Sequence, residues 1–169
     1  NIPRKFMPNT EPTHAKRFVN VDKAMQTGFE LYWNYNITHD LKFSSDFSYT
    51  YAKNKDYDEP LAQITPFTTN LALKYERETY WLNLNSRFVA AQKRVSESFR
   101  ETASEDFTTL DFSVGYTPTK NLTIGASILN IFDTAYYEHL NFFYQNSDIL
   151  SGRIYEPGRN FTVRINYSF

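Results

Sequence analysis

The sequence contains no cysteine among its 169 residues. It therefore has neither a disulfide framework nor a thiolate metal site. It also lacks a basic excess, because 18 lysines and arginines stand against 19 aspartates and glutamates. Nucleic-acid-binding chains usually carry a basic patch or stripe, so this charge balance argues against nucleic acid as a partner.

Long apolar runs are missing as well. No stretch of the sequence approaches the roughly 20 apolar residues that a membrane-spanning helix needs. If the chain crosses a membrane, it must cross it as strands, because only helices and closed barrels satisfy their backbone hydrogen bonds in lipid.

Aromatic residues, by contrast, are abundant. They make up 18% of the sequence, with 15 phenylalanines and 13 tyrosines, although apolar residues overall reach only 41%. An ordinary soluble core would rely more on leucine, isoleucine and valine. The composition therefore favours a chain whose aromatic side chains serve something other than a compact core.

The clearest pattern lies at the C-terminal end. From Phe161 to Phe169 every odd position is apolar and every even position is polar. As a strand, this segment has one fully apolar face and one fully polar face. Such a strand suits a wall between hydrocarbon and water, with the odd residues touching acyl chains and the even residues lining a watery interior.

The same alternation recurs along the chain and predicts about seven strands. Short polar turns and long polar loops separate them in strict alternation, so all the short turns lie at one end and all the long loops at the other. Outer-membrane barrels show this asymmetry, with short periplasmic turns and long extracellular loops. The predicted strands cover residues 24–37, 41–51, 67–75, 80–90, 110–116, 122–128 and 159–169.

Closure of the sheet decides what kind of barrel this is. Bacterial single-chain barrels have an even number of strands, at least eight, and an open sheet in lipid would leave unpaired edge amides. Either residues 1–21 supply one more strand, or the chain is part of a larger barrel. We favour the second, which gives an all-β fold: an antiparallel up-and-down transmembrane β-barrel segment of about seven or eight strands.

Four motifs in the sequence resemble those of TonB-dependent outer-membrane receptors. They occur in the same order as in that family and span nearly the whole chain. The motifs are the N-V-D-x-A-x-x-x-G-x-E pattern (Asn20, Val21, Asp22, Ala24, Gly28, Glu30), the proline-flanked loop 60–66, Asn130-Ile131-Phe132-Asp133 with Tyr137, and Pro157-Gly158-Arg159 before the last strand. In the last motif we expect Gly158 to give the backbone freedom and Arg159 to pair inside the barrel.

The resemblance implies a receptor of 22 strands whose lumen holds an N-terminal plug. Such a receptor imports a scarce nutrient, here an iron-siderophore or another metal complex, when the energy-transducing protein TonB pulls on the plug. The implied partners are outer-membrane lipid, the remainder of the barrel and plug, TonB through the plug, and a small metal-chelate ligand. The implied location is the outer membrane of a Gram-negative bacterium. Residues 1–169 hold no plug and are expected to form the C-terminal part of the barrel wall.

Candidate ligand-contacting residues lie in the predicted outer loops. His139 is a weak metal candidate, because His14, His39 and His139 are too scattered to show a metal-ligand spacing. Arginines could bind an anionic substrate by charge-assisted hydrogen bonds, and aromatic rings could stack on a chelate. The substrate candidates are Arg94, Arg100, Tyr144 and His139. No resident cofactor is expected.

Other arginines and aromatics have simpler interpretations. We expect Arg87 to balance lumen carboxylates such as Glu30 and Asp111, while Arg153 could also meet an anionic substrate. Tyr136 and Tyr137 suit either ligand stacking or an aromatic girdle at headgroup level.

Alternatives from other functional classes stay open. Ser96, Ser98, Ser104 and His139 lie in outer loops, but no motif arranges them for hydrolysis, so the chain is not expected to be an enzyme. A soluble ligand-binding barrel would have to bury all the aromatic residues in a narrow interior. A small autonomous outer-membrane barrel acting as a passive pore or adhesin is the alternative within the membrane class.

Overall fold

The computed structural model describes residues 22–141, 143–146 and 150–169, with the backbone alone at 143–146, 150 and 151. Ten strands account for the regular structure of these residues. They are β1 (Ala24–Asn36), β2 (Leu41–Asn54), β3 (Glu59–Pro60), β4 (Thr68–Glu76), β5 (Tyr80–Val89), β6 (Phe107–Thr119), β7 (Leu122–Leu129), β8 (Phe143–Asn146), β9 (Leu150–Arg153) and β10 (Asn160–Tyr167). No helix in the described part of the chain is long and apolar enough to span a membrane.

Seven long strands form one antiparallel sheet in the order β1-β2-β4-β5-β6-β7-β10. This up-and-down order confirms the fold class and the strands predicted from alternation. Sequence reasoning missed β3, which pairs with the end of β2, and the separate β8–β9 hairpin, since both lie in segments predicted as loops. The question of a strand within residues 1–21 falls outside the described residues.

The sheet is open within the described chain. β1 pairs only with β2 and β10 pairs only with β7, so each leaves one edge unpaired. Every residue of these two strands is exposed. The outer edges of both strands therefore present backbone donors and acceptors that a neighbouring strand could take up.

In the register of the sheet, apolar residues of neighbouring strands lie side by side, and polar residues lie side by side in the next row. One cross-strand row is apolar in all seven strands and consists of Tyr35, Phe43, Leu73, Leu84, Phe112, Ile128 and Phe161. The adjacent row is polar in all seven and consists of Asn36, Lys42, Lys74, Asn83, Ser113, Ser127 and Thr162. Because neighbouring residues point to opposite sides of a strand, the sheet has one apolar face and one polar face.

The apolar face is not covered by the described protein. Phe161, Val163 and Ile165 are 69%, 71% and 67% exposed, and among the strand residues whose side chains are described the buried apolar side chains are only Ala52, Val89 and Phe107. All three share the parity of the polar face and lie near its loop end. A soluble barrel would bury its aromatic parity inside, so this arrangement favours a wall whose apolar face meets lipid.

Gly28, the glycine of the first motif, occupies a point of close backbone approach. A Cβ at this position would lie 2.3 Å from the carbonyl oxygen of Tyr49 on β2. Any larger residue would force β1 away from its partner strand.

Candidate functional site

The three long loops meet at one end of the sheet, as the up-and-down order requires. We call their described central parts, residues 59–66, 91–106, 130–141 and 152–156, the loop cluster. These segments are distant in sequence, yet side-chain hydrogen bonds connect them to one another and to the polar face. The cluster is therefore the part of the chain in which polar groups converge.

Glu101 connects the three loops. Its Oε1 accepts hydrogen bonds from the backbone N–H of Gln63 at 2.7 Å and from Nε2 of His139 at 3.2 Å. Its Oε2 accepts one from the backbone N–H of Ser96 at 3.0 Å. Because the side chain is only 7% exposed, this carboxylate depends on those donors in place of water.

His139 is buried between Glu101 and Ser104. The residue is 4% exposed, and Nδ1 lies 2.9 Å from Oγ of Ser104. A neutral ring satisfies both contacts, with Nε2–H donating to Glu101 and Nδ1 accepting from the serine hydroxyl. Burial lowers the pKa of His139 below its ordinary value, and the nearby Glu101 carboxylate opposes that effect. Both ring nitrogens are therefore occupied, and neither is free to bind a metal ion in this conformation.

Hydrogen bonds connect Ser104 to His139 and His139 to Glu101, the order of serine, histidine and acid in a catalytic triad. Ser104 is 4% exposed, however, and its backbone is fixed by a bridge to Gln92. A nucleophilic serine must reach a substrate carbonyl next to oxyanion donors. A hydroxyl buried in this way holds loops together and does not reach a substrate. Sequence reasoning named Ser104 and His139 but had no signal for Glu101.

The loop after β7 begins with a hydrogen-bonded turn at Asn130. The backbone N–H of Asn130 donates to Oδ1 of Asp111 at 2.8 Å, and its side chain exchanges two hydrogen bonds with the backbone of Thr134. Asn130 has a positive φ of 50°, a conformation that asparagine tolerates better than most residues. These contacts direct the beginning of the loop toward the polar face.

Arg87 fixes the same loop onto the polar face. Its guanidinium binds Glu138 through both oxygens, at 2.6 and 3.1 Å, and also packs on the ring of Phe107. Arg87 balances a carboxylate, as expected, but the named partners Glu30 and Asp111 are wrong, because the carboxylate is that of Glu138 and Asp111 binds Asn130 instead. Since Arg87 belongs to the polar face, this ion pair places the loop on the lumen side.

Arg153 is also used within the cluster. Its guanidinium donates to the carbonyl oxygens of His139, Asn141 and Thr102 and to the Thr102 hydroxyl, and it lies 5.5 Å from the ring centre of Tyr137. These contacts bind the end of β9 to both neighbouring loops. They leave Arg153 little capacity for an anionic ligand.

Tyr136 and Tyr137 contact other rings in the cluster. The ring of Tyr136 stacks on Phe107 at 4.3 Å, and Tyr137 meets Tyr155 edge-on at 5.3 Å. Both tyrosines therefore pack inside the loop cluster, and ligand stacking and a girdle position stay predictions.

The remaining predicted substrate residues are dispersed. Arg94 is exposed, and its guanidinium carbon lies 3.9 Å from the ring centre of Tyr51, a residue of the apolar face. Arg100 is exposed at a left-handed turn with φ of 55°. Tyr144 belongs to β8, but its side chain lies outside the described residues. The structure does not bring Arg94, Arg100 and His139 together into one pocket.

Glu59 performs a similar connecting role at the first loop. Its carboxylate accepts from Oγ of Ser96 at 3.2 Å and from the backbone N–H of Ser98 at 3.1 Å. The hydrogen bond from Ser98 holds the pKa of Glu59 below its usual value.

Within the described residues, no group of three or more histidine or carboxylate side chains could hold a metal ion.

Comparison with known families gives a match over most of the chain. The family model described as "TonB dependent receptor-like, beta-barrel" matches residues 5–131. The chain is 31% identical over 121 residues to the iron-regulated outer membrane virulence protein of Vibrio cholerae, covering 68% of this chain and 19% of that protein. It is 28% identical over 159 residues to the ferric enterobactin receptor PirA of Pseudomonas aeruginosa, covering 89% of this chain and 21% of PirA.

Superposition on solved structures agrees with the family match. The copper transporter OprC superposes with a TM-score of 0.79 at 28% identity, over 86% of this chain and 23% of OprC. The ferric enterobactin receptor PfeA of Pseudomonas aeruginosa, in complex with enterobactin, superposes with a TM-score of 0.69 at 25% identity, over 89% of this chain and 23% of PfeA. The chain thus spans about a fifth of the length of the curated relatives it matches.

Proposed function

Because this chain belongs to the TonB-dependent outer-membrane receptors, we propose that it forms part of the barrel wall of a receptor that imports an iron chelate or another metal complex. The family assignment confirms the resemblance seen in the sequence motifs. The chain is an outer-membrane β-barrel segment of a Gram-negative bacterium. The family is one of receptors and transporters, and we propose no enzymatic activity for the chain.

One observation supports the proposal most strongly: a two-faced wall carries a hydrogen-bonded loop cluster at its outer end, and segment 130–141 of that cluster lies on the lumen side. Arg87 on the polar face and Glu138 in the loop define that side. A ligand approaching from outside would meet these loops first.

We propose that residues 1–169 are one portion of a larger barrel. The outer edges of β1 and β10 are unpaired within the described chain, and each unsatisfied backbone group in hydrocarbon costs several kcal/mol. Further strands on both edges would remove that cost. We propose that the plug lies inside the completed barrel and that TonB acts on the receptor through the plug.

For the substrate we propose a metal complex, because the names of the similar proteins refer to iron regulation, ferric enterobactin, haemoglobin and copper. Arg100, at an exposed turn of the second long loop, is our first candidate for contact with an anionic chelate, and Tyr144 is the second. His139 would act indirectly, by holding the loops in place. Arg94 lies on the apolar face, farther from such a ligand.

The test is uptake of a radiolabelled ferric chelate by cells whose only receptor for it is the intact protein that carries this chain. We expect uptake in cells with TonB and its loss in cells without TonB. Uptake that persists without TonB would indicate a passive pore, and absence of uptake in both strains would favour an adhesin. Arg100→Ala is expected to raise the half-saturating chelate concentration, whereas Lys120→Ala, in a short turn at the opposite end, serves as the matched control.

A further inference from the structure

The barrel wall has a notch next to β2. Pairing of β2 with β4 ends at Ser48 and Thr68, although β2 continues to Asn54. Beyond that point the loop 61–66 runs beside β2, where the N–H of Leu61 donates to the carbonyl oxygen of Ala52 at 3.3 Å. The space left between β2 and the end of β5 is a pocket of about 260 Å³.

Ring side chains of the apolar face line the pocket, together with Thr50 and Ala52 of the opposite parity and Gln92. Among its lining residues, Tyr49 and Phe67 lie beside other rings of that face, with Phe29 6.1 Å from Tyr49 and Phe47 6.5 Å from Phe67. Further apolar lining comes from Leu61, Ile64, Pro66 and Ala90. A cavity with this lining suits a hydrocarbon chain better than a polar chelate.

Two cations stand at the pocket. Lys93 and Arg94 line it, both are exposed, and neither forms an ion pair with another described residue. No acidic residue is among the described residues that line the pocket. Arg94 is fixed over the ring of Tyr51 at 3.9 Å, so its charge is held beside the apolar lining.

The depth of Tyr51 places these cations at the membrane surface. Leu41 follows a short turn and marks the inner end of β2, and Tyr51 lies ten positions farther along the strand, which corresponds to about 33 Å along the strand, or about 25 Å across the bilayer at a tilt of about 40°. That height equals the apolar band of an outer-membrane barrel, which is bordered by aromatic rings at headgroup level. Arg94 and Lys93 therefore lie at the headgroup level of the outer leaflet.

We propose that this pocket binds lipopolysaccharide of the outer leaflet, with one acyl chain in the notch and a lipid A phosphate on Lys93 and Arg94. An apolar pocket beside two unpaired cations at headgroup depth is complementary to an acyl chain that carries a phosphorylated head. The rings of Tyr49 and Tyr51 at this site belong to the apolar face, whereas the Arg87–Glu138 ion pair holds segment 130–141 on the polar face, so the site is separate from that of the proposed import.

The test measures binding of hexa-acyl lipid A to the intact receptor in nanodiscs by native mass spectrometry, with dephosphorylated lipid A and phosphatidylglycerol as comparison lipids. The double variant K93E/R94E is expected to bind lipid A about 30-fold or more weakly, since each cation near an anionic surface contributes about a fivefold factor. Lys120→Glu, at the opposite end of the barrel, is the control for a change in net charge.

A second variant addresses the pocket itself. Ala90→Leu fills the notch without changing charge and is expected to weaken lipid A and dephosphorylated lipid A equally. Unchanged lipid A binding by both K93E/R94E and Ala90→Leu would overturn the proposal, as would an equal loss in Lys120→Glu. Displacement of lipid A by the imported chelate would also overturn it, because it would assign the pocket to the transported ligand.

Discussion

The carboxylate of Asp133 accepts a hydrogen bond from the backbone N–H of Arg159 at 2.8 Å. This contact joins two of the sequence motifs, one at the end of β7 and the other before β10. A Cβ at Gly158 would lie 2.7 Å from the same carboxylate oxygen. The glycine thus provides space for Asp133, and Gly158 does not have the positive φ that the expectation of backbone freedom implied. Arg159 makes this contact through its backbone, and the expected pairing of its side chain inside the barrel stays a prediction.

Gly158→Ala should therefore destabilise the junction of β7 and β10. We expect a loss of about 1.5–3 kcal/mol, the usual range for a hydrogen bond to a charged group that is broken. Urea unfolding of the intact receptor, followed by heat-modifiable gel mobility, measures this loss. Gly125→Ala is the control, because a Cβ there would stand 3.6 Å from its nearest neighbour. Equal losses in the two variants would contradict the role of Asp133.

The long strands were predictable because alternation is a local signal that each strand carries by itself. The loop cluster was not, because its contacts join residues with no periodic relation, such as Gln63 and Glu101, which are 38 residues apart. The same reason explains the wrong partner for Arg87, since Glu138 lies 51 residues away in a loop. The notch beside β2 could not be predicted from the sequence either. It exists because β4 begins only at Thr68, so the end of β2 has no β4 residue beside it.

Glu101→Gln should loosen the three loops together. The variant removes the negative charge that receives hydrogen bonds from Gln63, Ser96 and His139. Charge-assisted hydrogen bonds contribute about 1.5–3 kcal/mol each, so amide exchange in these loops should accelerate at least about tenfold. Hydrogen–deuterium exchange of the intact receptor measures this rate.

Glu97→Gln is the matched control for Glu101→Gln. Glu97 is exposed, and its contacts are made by the backbone, which accepts from the N–H of Arg100 and also hydrogen-bonds Glu59. Exchange should be unchanged in this variant. Faster exchange confined to residues 96–101 in Glu101→Gln would contradict the connecting role of Glu101.

Acid should open the loop cluster through His139. Burial lowers the pKa of His139 in the closed loops, with Arg153 acting in the same direction and Glu101 opposing it. The open state, with an ordinary pKa of about 6.5, therefore binds protons more readily. The closed state is fully stable above about pH 6.5 and loses stability as the pH falls through the lowered value.

The measurement is amide exchange of residues 130–141 at pH 7.5 and pH 5.5, after correction for intrinsic exchange rates. We expect less protection at the lower pH. His139→Gln keeps hydrogen-bonding capacity but does not titrate, so its loops should show no such change. A pH effect of equal size in this variant would assign the effect to other groups.

The two faces of β10 should respond differently to charge. Val163 lies on the apolar face, opposite Ala126, whereas Asn166 shares the polar face with Thr123. Val163→Arg is expected to cost about 2–4 kcal/mol if it lies near the bilayer midplane, and Asn166→Arg much less. Unfolding of the receptor from liposomes by urea gives both values, and equal costs would contradict the assignment of faces.

The most direct test of the central claim uses the absence of cysteine from this chain. Single cysteines introduced at residues 160–167 can each carry a nitroxide, whose collision with oxygen reports lipid and whose collision with a soluble nickel chelate reports water. The account predicts that odd positions collide with oxygen and even positions with nickel, with a period of two residues along β10. Uniform collision rates, or oxygen contact at the even positions, would contradict a wall between membrane and lumen.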